Sequence, residues 1–313
     1  MGVTTHDIFG AARTAPAPAT PGSYGEAPKG YRLPQATRLG CVKLQVANLA
    51  RSLDFYGQTV GLRVLERTDA TATLAPYGED RVIVELEERK GITPATRGLL
   101  GLYHFAILLP DRASLARFVQ HLAATGVRAG AGDHLVSEAF YLTDPDGLGI
   151  EVYADRPRST WQRIGRELML ATDPVDVAAL VAGAGDLSWT GMPTGTVIGH
   201  VHLHVGDLAQ ASAFFSESLG FDRMSWRYPS ALFFGAGGYH HHVGTNTWAG
   251  ADARVPGEND ARLLEWNIEV PTADDLAELT NSLARAGYPV DGTPGETVTS
   301  DPWGTRIRVR SQA

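Results

Sequence analysis

The sequence predicts an α+β protein built as four successive strand–helix–strands units, and three observations carry that prediction. First, one kind of passage occurs twice. Leu39-Gly40-Cys41-Val42-Lys43-Leu44-Gln45-Val46-Ala47-Asn48-Leu49 leads into the helical pattern Ala50 to Tyr56 and leaves through Gly61-Leu62. Ile198-Gly199-His200-Val201-His202-Leu203-His204-Val205-Gly206-Asp207-Leu208 leads into Ala209 to Phe215 and leaves through Gly220-Phe221. Second, weaker copies of the opening strand begin at Tyr103-His104-Phe105-Ala106-Ile107 and at Glu265-Trp266-Asn267-Ile268-Glu269. Third, units two and four each close on an Asp-Pro turn, Asp144-Pro145-Asp146-Gly147 and Asp301-Pro302-Trp303-Gly304. Self-similarity at a fixed period marks repeated supersecondary units.

Residues 1–35 are rich in Ala, Pro, Gly and Thr without periodicity, and are expected to be a tail that packs on the body or stays disordered. Residues 36–155 form an N-terminal half holding units one (38–94) and two (100–155). A connector, 156–195, carries a helical pattern from Trp161 to Ala182 and ends near Met192-Pro193. It is long enough for unit three to pack elsewhere than beside unit two. Residues 196–313 form the C-terminal half, with unit three at 196–250 and unit four at 262–311. In units one and three, Asn48 and Asp207 stand where a helix N-cap belongs, and Gly61 and Gly220 where the chain exits.

The stretch from Gly132 to Glu151 holds three side chains suited to chemistry: His134, Tyr141 and Glu151. Phe140 to Leu142 reads as a strand, Asp144 to Gly147 as a turn, and Leu148 to Tyr153 as the return strand. Glu151 falls between Ile150 and Val152, and a carboxylate buried there needs a partner.

Composition bounds the function. The chain is 43% hydrophobic and 20% charged, which suits a sizeable core; 313 residues suggest about two domains. Net charge is −8 and no basic block occurs, which argues against a nucleic-acid partner. The single cysteine, Cys41, excludes an intrachain disulfide and a thiolate cluster. No apolar run approaches the ~20 residues of a membrane span, and residues 1–7 lack a signal peptide's pattern, so the expected location is the cytoplasm.

Gly132, His134, Phe140, Tyr141, Asp144, Pro145, Gly147 and Glu151 match, position by position, the signature of extradiol ring-cleavage dioxygenases. Over about residues 36–313 the chain resembles the CatE-type catechol 2,3-dioxygenases of the vicinal oxygen chelate superfamily. The resemblance implies βαβββ modules paired into two cup-like barrels. It also implies metal ligands on the first and last strands of two paired modules. Unit two offers His104 and Glu151, and unit three offers His200; unit one has only Cys41, and Arg308 of unit four cannot ligate a metal. The simplest pairing is therefore two with three around one ion, with one and four free of metal. Sequential pairing would leave no complete triad.

His104, His200 and Glu151 then form the two-histidine, one-carboxylate facial triad of non-haem Fe(II) oxygenases, with Mn(II) as an alternative ion. His202 and His204 share the strand face of His200 and remain alternatives to it; His200 is favoured because it holds His104's place in the repeat. His242 lies four residues after Gly238, as Glu151 lies four after Gly147, and matches the family's proton-transferring histidine. His134 and Tyr141 match the residues that hydrogen-bond the bound catecholate and oxygen. His240 and His202 are expected to reach the substrate, and His241 to point away. Arg156 and Arg158 are either cations for an anionic substituent or part of a solvated link. Glu265 and Arg308 are expected to form a salt bridge in the other cup. The implied partners are a small aromatic diol and O2, with no nucleic acid and no membrane; a homo-oligomer stays open. Two rivals remain. One is a glyoxalase-like isomerase or lyase with His242 as fourth ligand to Ni(II), Zn(II) or Mn(II). The other is a metal-free protein that sequesters an aromatic compound.

Overall fold

The structure is a computed structural model, and it describes residues 2–12, 14–185 and 188–312. Each unit opens on a strand whose inward positions are apolar: Val42, Leu44 and Val46 in unit one are fully buried, as are Phe105 and Ile107, Val201 and Leu203, and Ile268 and Val270 in the others. A polar residue then caps the following helix. Asn48, Asp111, Asp207 and Thr272 each accept a backbone N–H from three residues on, satisfying one of the donors a helix start leaves unpaired. The helix packs on the sheet, and the remaining strands return to pair beside the opening one.

The opening strands join the units in antiparallel pairs. Gly101–Leu108 of unit two lies against Val197–His204 of unit three, and each is flanked by the parallel last strand of its own unit, Gly149–Asp155 and Val243–Asn246. With Ser137–Thr143, Gly130–Asp133, Ala231–Gly235 and Asp222–Ser225 they make one eight-stranded sheet. Arg38–Val46 of unit one pairs in the same way with Arg262–Val270 of unit four, in a seven-stranded sheet. The pairing is thus two with three and one with four, as the uneven distribution of histidines predicts.

The connector departs from expectation. The helical pattern from Trp161 to Ala182 is realised only over Val177–Ala182; before it the chain makes a hairpin of Gln162–Ile164 and Glu167–Leu168. Gly165 turns the hairpin at φ +63°. The buried Glu167 carboxylate accepts the backbone N–H groups of Trp226 and Arg227, at 2.6 and 2.5 Å, a long-range capture that no local period reveals. Ala17–Pro18 joins this hairpin as a third strand, and Phe9, Tyr24 and Leu33 are buried, so the described part of the first 35 residues packs on the body. Among the described residues, no helix is long and apolar enough to cross a membrane.

Candidate metal centre and cavity

The strand Gly101–Leu108 is the axis of the site. Ala106 pairs with Glu151 on one side and with His200 on the other, and His104 lies two residues back on the same face. Three donors therefore surround one buried methyl group. His104 Nε2 lies 3.0 Å from Glu151 Oε2 and 3.3 Å from His200 Nε2; His200 Nε2 lies 3.3 Å from the same carboxylate oxygen. Ligands at right angles, ~2.1 Å from an ion, stand about 3.0 Å apart, so this triangle has the size of one octahedral face. His104, Glu151 and His200 are also the group whose donor atoms all lie within 4.8 Å of one another among the described residues.

The electrostatics suit a cation. Burial by itself would raise the Glu151 carboxyl, but the neighbouring His200 and the hydrogen bonds from both imidazoles hold it well below the usual range. Burial pulls His200 down to about 4 against the opposing pull of Glu151, so its imidazole is neutral at pH 7 and keeps a lone pair to give.

A cavity of about 590 Å³ opens beside the triad. Tyr141 lies directly across the hairpin from Glu151 and lines it together with His134. His134 donates from Nδ1 to the Ala171 carbonyl at 2.6 Å, which leaves Nε2 to accept the Tyr141 hydroxyl at 2.5 Å. Burial pushes the Tyr141 phenol well above its usual range, so it keeps its proton. His202 also faces the cavity, but its Nε2 accepts from Asn246 Nδ2 at 2.9 Å, and His204 Nδ1 donates to Asn246 Oδ1 at 2.6 Å. Asn246 thus holds two of the three strand histidines, and His200 alone turns into the triad.

The Tyr239–His242 run differs from its sequence reading. His241, expected to point away, lines the cavity with its ring centroid 4.2 Å from that of His200. His242 faces elsewhere: it packs on Tyr239 and Phe221, accepts the Ala236 N–H at 3.1 Å, and is pushed down to about 3 by burial. His240 does not reach the cavity either; it is fully buried and donates from Nε2 to Asp155 at 2.8 Å. The cause is local. After Gly147 regular pairing resumes at Gly149, whereas after Gly238 the chain stays irregular and pairing resumes only at Val243. By register, the counterpart of Glu151 is Gly244, which pairs with His202 as Glu151 pairs with Ala106. A Cβ on Gly244 would come within 2.8 Å of the His202 ring. His240 Nδ1 and His241 Nδ1 are 2.8 Å apart. With His240 donating to Asp155, its Nδ1 accepts from His241, and the His241 Nε2 lone pair is left for the cavity.

The other cup is closed by its own charges. Glu265 stands at the register position of His104 and Arg308 at that of Glu151, while Cys41, which accepts from Asn267 Nδ2 at 3.1 Å, holds the place of His200 in the repeat. Arg308 donates to both Glu265 oxygens, at 2.6 and 3.0 Å, and to Glu296 at 2.6 Å, so the expected salt bridge is present. Burial, with Glu85 beside it, pushes the Cys41 thiol up to about 12, away from thiolate chemistry.

Residues 38–152 and 197–308 match the family model described as Glyoxalase/Bleomycin resistance protein/Dioxygenase superfamily. The chain is 46% identical over 270 residues to a catechol-2,3-dioxygenase of Bacillus subtilis (strain 168), covering 85% of this chain and 94% of that one. Among solved structures, one titled a putative dioxygenase from Bacillus subtilis subsp. subtilis str. 168 superposes with a TM-score of 0.60 at 12% identity, over 90% of this chain and 86% of that one. Glyoxalase I from Zea mays superposes with a TM-score of 0.53 at 16% identity, over 88% and 92%. These two likenesses concern the fold.

Proposed function

The chain belongs to the Glyoxalase/Bleomycin resistance protein/Dioxygenase superfamily and is a dioxygenase of the extradiol kind; from that premise we propose that it cleaves a catechol next to its diol with O2, using Fe(II) held by His104, His200 and Glu151. The observation that carries this reading is the triangle of two imidazole nitrogens and one carboxylate oxygen in the cavity wall. Fe(II), when bound there, supplies open positions for the diol and oxygen and a path for electrons between them. Mn(II) fits the same donors.

The side chains supply the proton chemistry. His241 Nε2, with its lone pair turned to the cavity, accepts a proton from a diol hydroxyl. Burial keeps this imidazole well below its usual range, so it is in the accepting form at neutral pH. Tyr141 can pass its hydroxyl proton to His134 Nε2 as it accepts one from the diol, and the same relay run backwards returns a proton to a substrate oxygen carrying developing charge. Phe233 and Trp248 give the ring an apolar seat and limit water.

A glyoxalase-like reaction needs a fourth ligand, and the strand that would supply it carries Gly244 at that register. The triad itself weighs against a purely sequestering role. The test is anaerobic reconstitution with Fe(II), then exposure to O2 and a panel of catechols; a yellow ring-fission product is expected. A fully loaded protein that consumes no O2 with any catechol would overturn the proposal.

A further inference from the structure

The cavity has one wall that does not come from the repeated units. Gly2 and Val3 line it, next to Leu170 and Thr172 of the connector. The Val3 carbonyl accepts the Thr172 N–H at 2.8 Å. Thr5 donates to the Asp173 carboxylate twice, from its backbone N–H at 2.8 Å and its hydroxyl at 2.6 Å. Thr4 and Asp7 cap each other at the start of the short helix Thr5–Phe9, and Phe9 is buried against Ile164 and Met169. The segment is thus tied down at both ends. Its anchor is also the support of the site: Asp173 and Asp133 exchange backbone hydrogen bonds, and Ala171 holds His134.

The composition of this wall is as informative as its position. Among the described lining residues, Glu151 is the one carboxylate, and no Lys or Arg is present. Arg156, an apparent candidate for an anionic substituent, is bound to Asp133 at 2.5 Å and lies outside the cavity. Arg158 lies over the rings of Trp161 and Tyr239, also outside it. A substrate carboxylate would be buried here without a Lys or Arg to pair with, which is costly. A volume of about 590 Å³ falls inside the ~300–1,000 Å³ range of sites that enclose drug-sized ligands, so there is room for a ring and a substituent.

We propose that the segment Gly2–Phe9 is a fixed strap forming the outer wall of the substrate cavity, and that Val3 selects catechols bearing an uncharged, apolar substituent. The inference rests on the dioxygenase reading and names the substrate class of that same site.

The experiment compares kcat/KM of the Fe(II)-loaded full chain for catechol, 4-methylcatechol, 3-phenylcatechol and 3,4-dihydroxyphenylacetate. At least one neutral substituted catechol is expected to exceed the carboxylate by tenfold or more. Val3→Trp is expected to lower the ratio of 3-phenylcatechol to catechol at least tenfold, and the milder Val3→Ala to hold or raise it. Anaerobic equilibrium dialysis of the same diols reads the same ratios as affinities, independently of turnover. A carboxylate substrate bound and cleaved as well as the neutral ones, or a ratio that moves less than twofold in both variants, overturns the inference. Absence of cleavage for every diol, catechol included, would instead sink the dioxygenase reading, and dialysis would then still judge the strap.

Discussion

Glu151 is the only charged donor of the triad, and both imidazoles already lean on it. Glu151→Gln keeps the shape and removes the charge, so bound iron is expected to fall far below one per chain after reconstitution and desalting; metal analysis reads this directly, and full occupancy would remove Glu151 from the ligand set. His241 and His242 offer a sharper comparison. His241→Ala should keep its iron and lose roughly 10²–10⁴ in turnover, the usual contribution of a positioned acid–base group. His242→Ala should lower the melting temperature and keep most turnover, because that ring faces Tyr239 and Phe221. Steady-state rates with metal content on both variants decide it; the reverse pattern would restore His242. The residue types of the site were legible in the sequence, since Gly132 to Glu151 matches a signature and the repeat aligns His104 with His200. The identity of the facing histidine was not. Among adjacent histidines only strand parity separates inward from outward, and Tyr239–His242 precedes the regular strand.

At the scale of elements, the Asp-Pro turn does more than reverse the chain. Asp144 accepts the N–H groups of Asp146 and Leu148, both at 2.8 Å, and the Tyr56 hydroxyl of unit one at 3.2 Å. Asp146, fully buried, accepts from Arg51 at 2.5 Å and from the Ala47 N–H at 3.1 Å. The hairpin that presents Glu151 is therefore latched to the other sheet. Asp144→Ala leaves three buried donors without their acceptor and is expected to cost about 1–3 kcal/mol, read as a lower urea midpoint with an unchanged slope. An unchanged midpoint would mean the latch contributes nothing. Such turns announce themselves through Pro, Asp and Gly in fixed order. The connector hairpin does not, because Glu167 is held by the backbone of Trp226 and Arg227, about sixty residues away, and local periodicity carries no trace of that.

For the molecule as a whole, the buried imidazoles set a pH dependence. Burial holds His200 near 4 and His242 near 3, and pulls His202 and His241 well down. In the unfolded chain each titrates near ~6.5. Below that pH the unfolded state takes up protons that the folded state refuses, so stability falls as pH drops from about 6.5 towards 4. Asp144 and Asp301, raised by burial to about 6, act in the opposite sense over the lower part of this window, because their folded forms bind protons first. Five imidazoles, His204 included, against two carboxylates leave a net uptake of protons on unfolding near pH 5. Urea midpoints of the metal-free protein at pH 7, 6 and 5 should decline accordingly; a flat profile would show that these imidazoles are not held neutral.

The guanidinium in the second cup gives the chain its own reference channel. Both sheets follow one plan and belong to one polypeptide, yet around Asn267 the positive charge is covalent, while around Ala106 it must come from outside. A chelator should therefore speed amide exchange along Gly101–Leu108 and leave Arg262–Val270 unchanged in the same sample. The ratio of the two signals cancels drift in temperature, concentration and pH, so metal loading can be read from a single preparation without a separate blank.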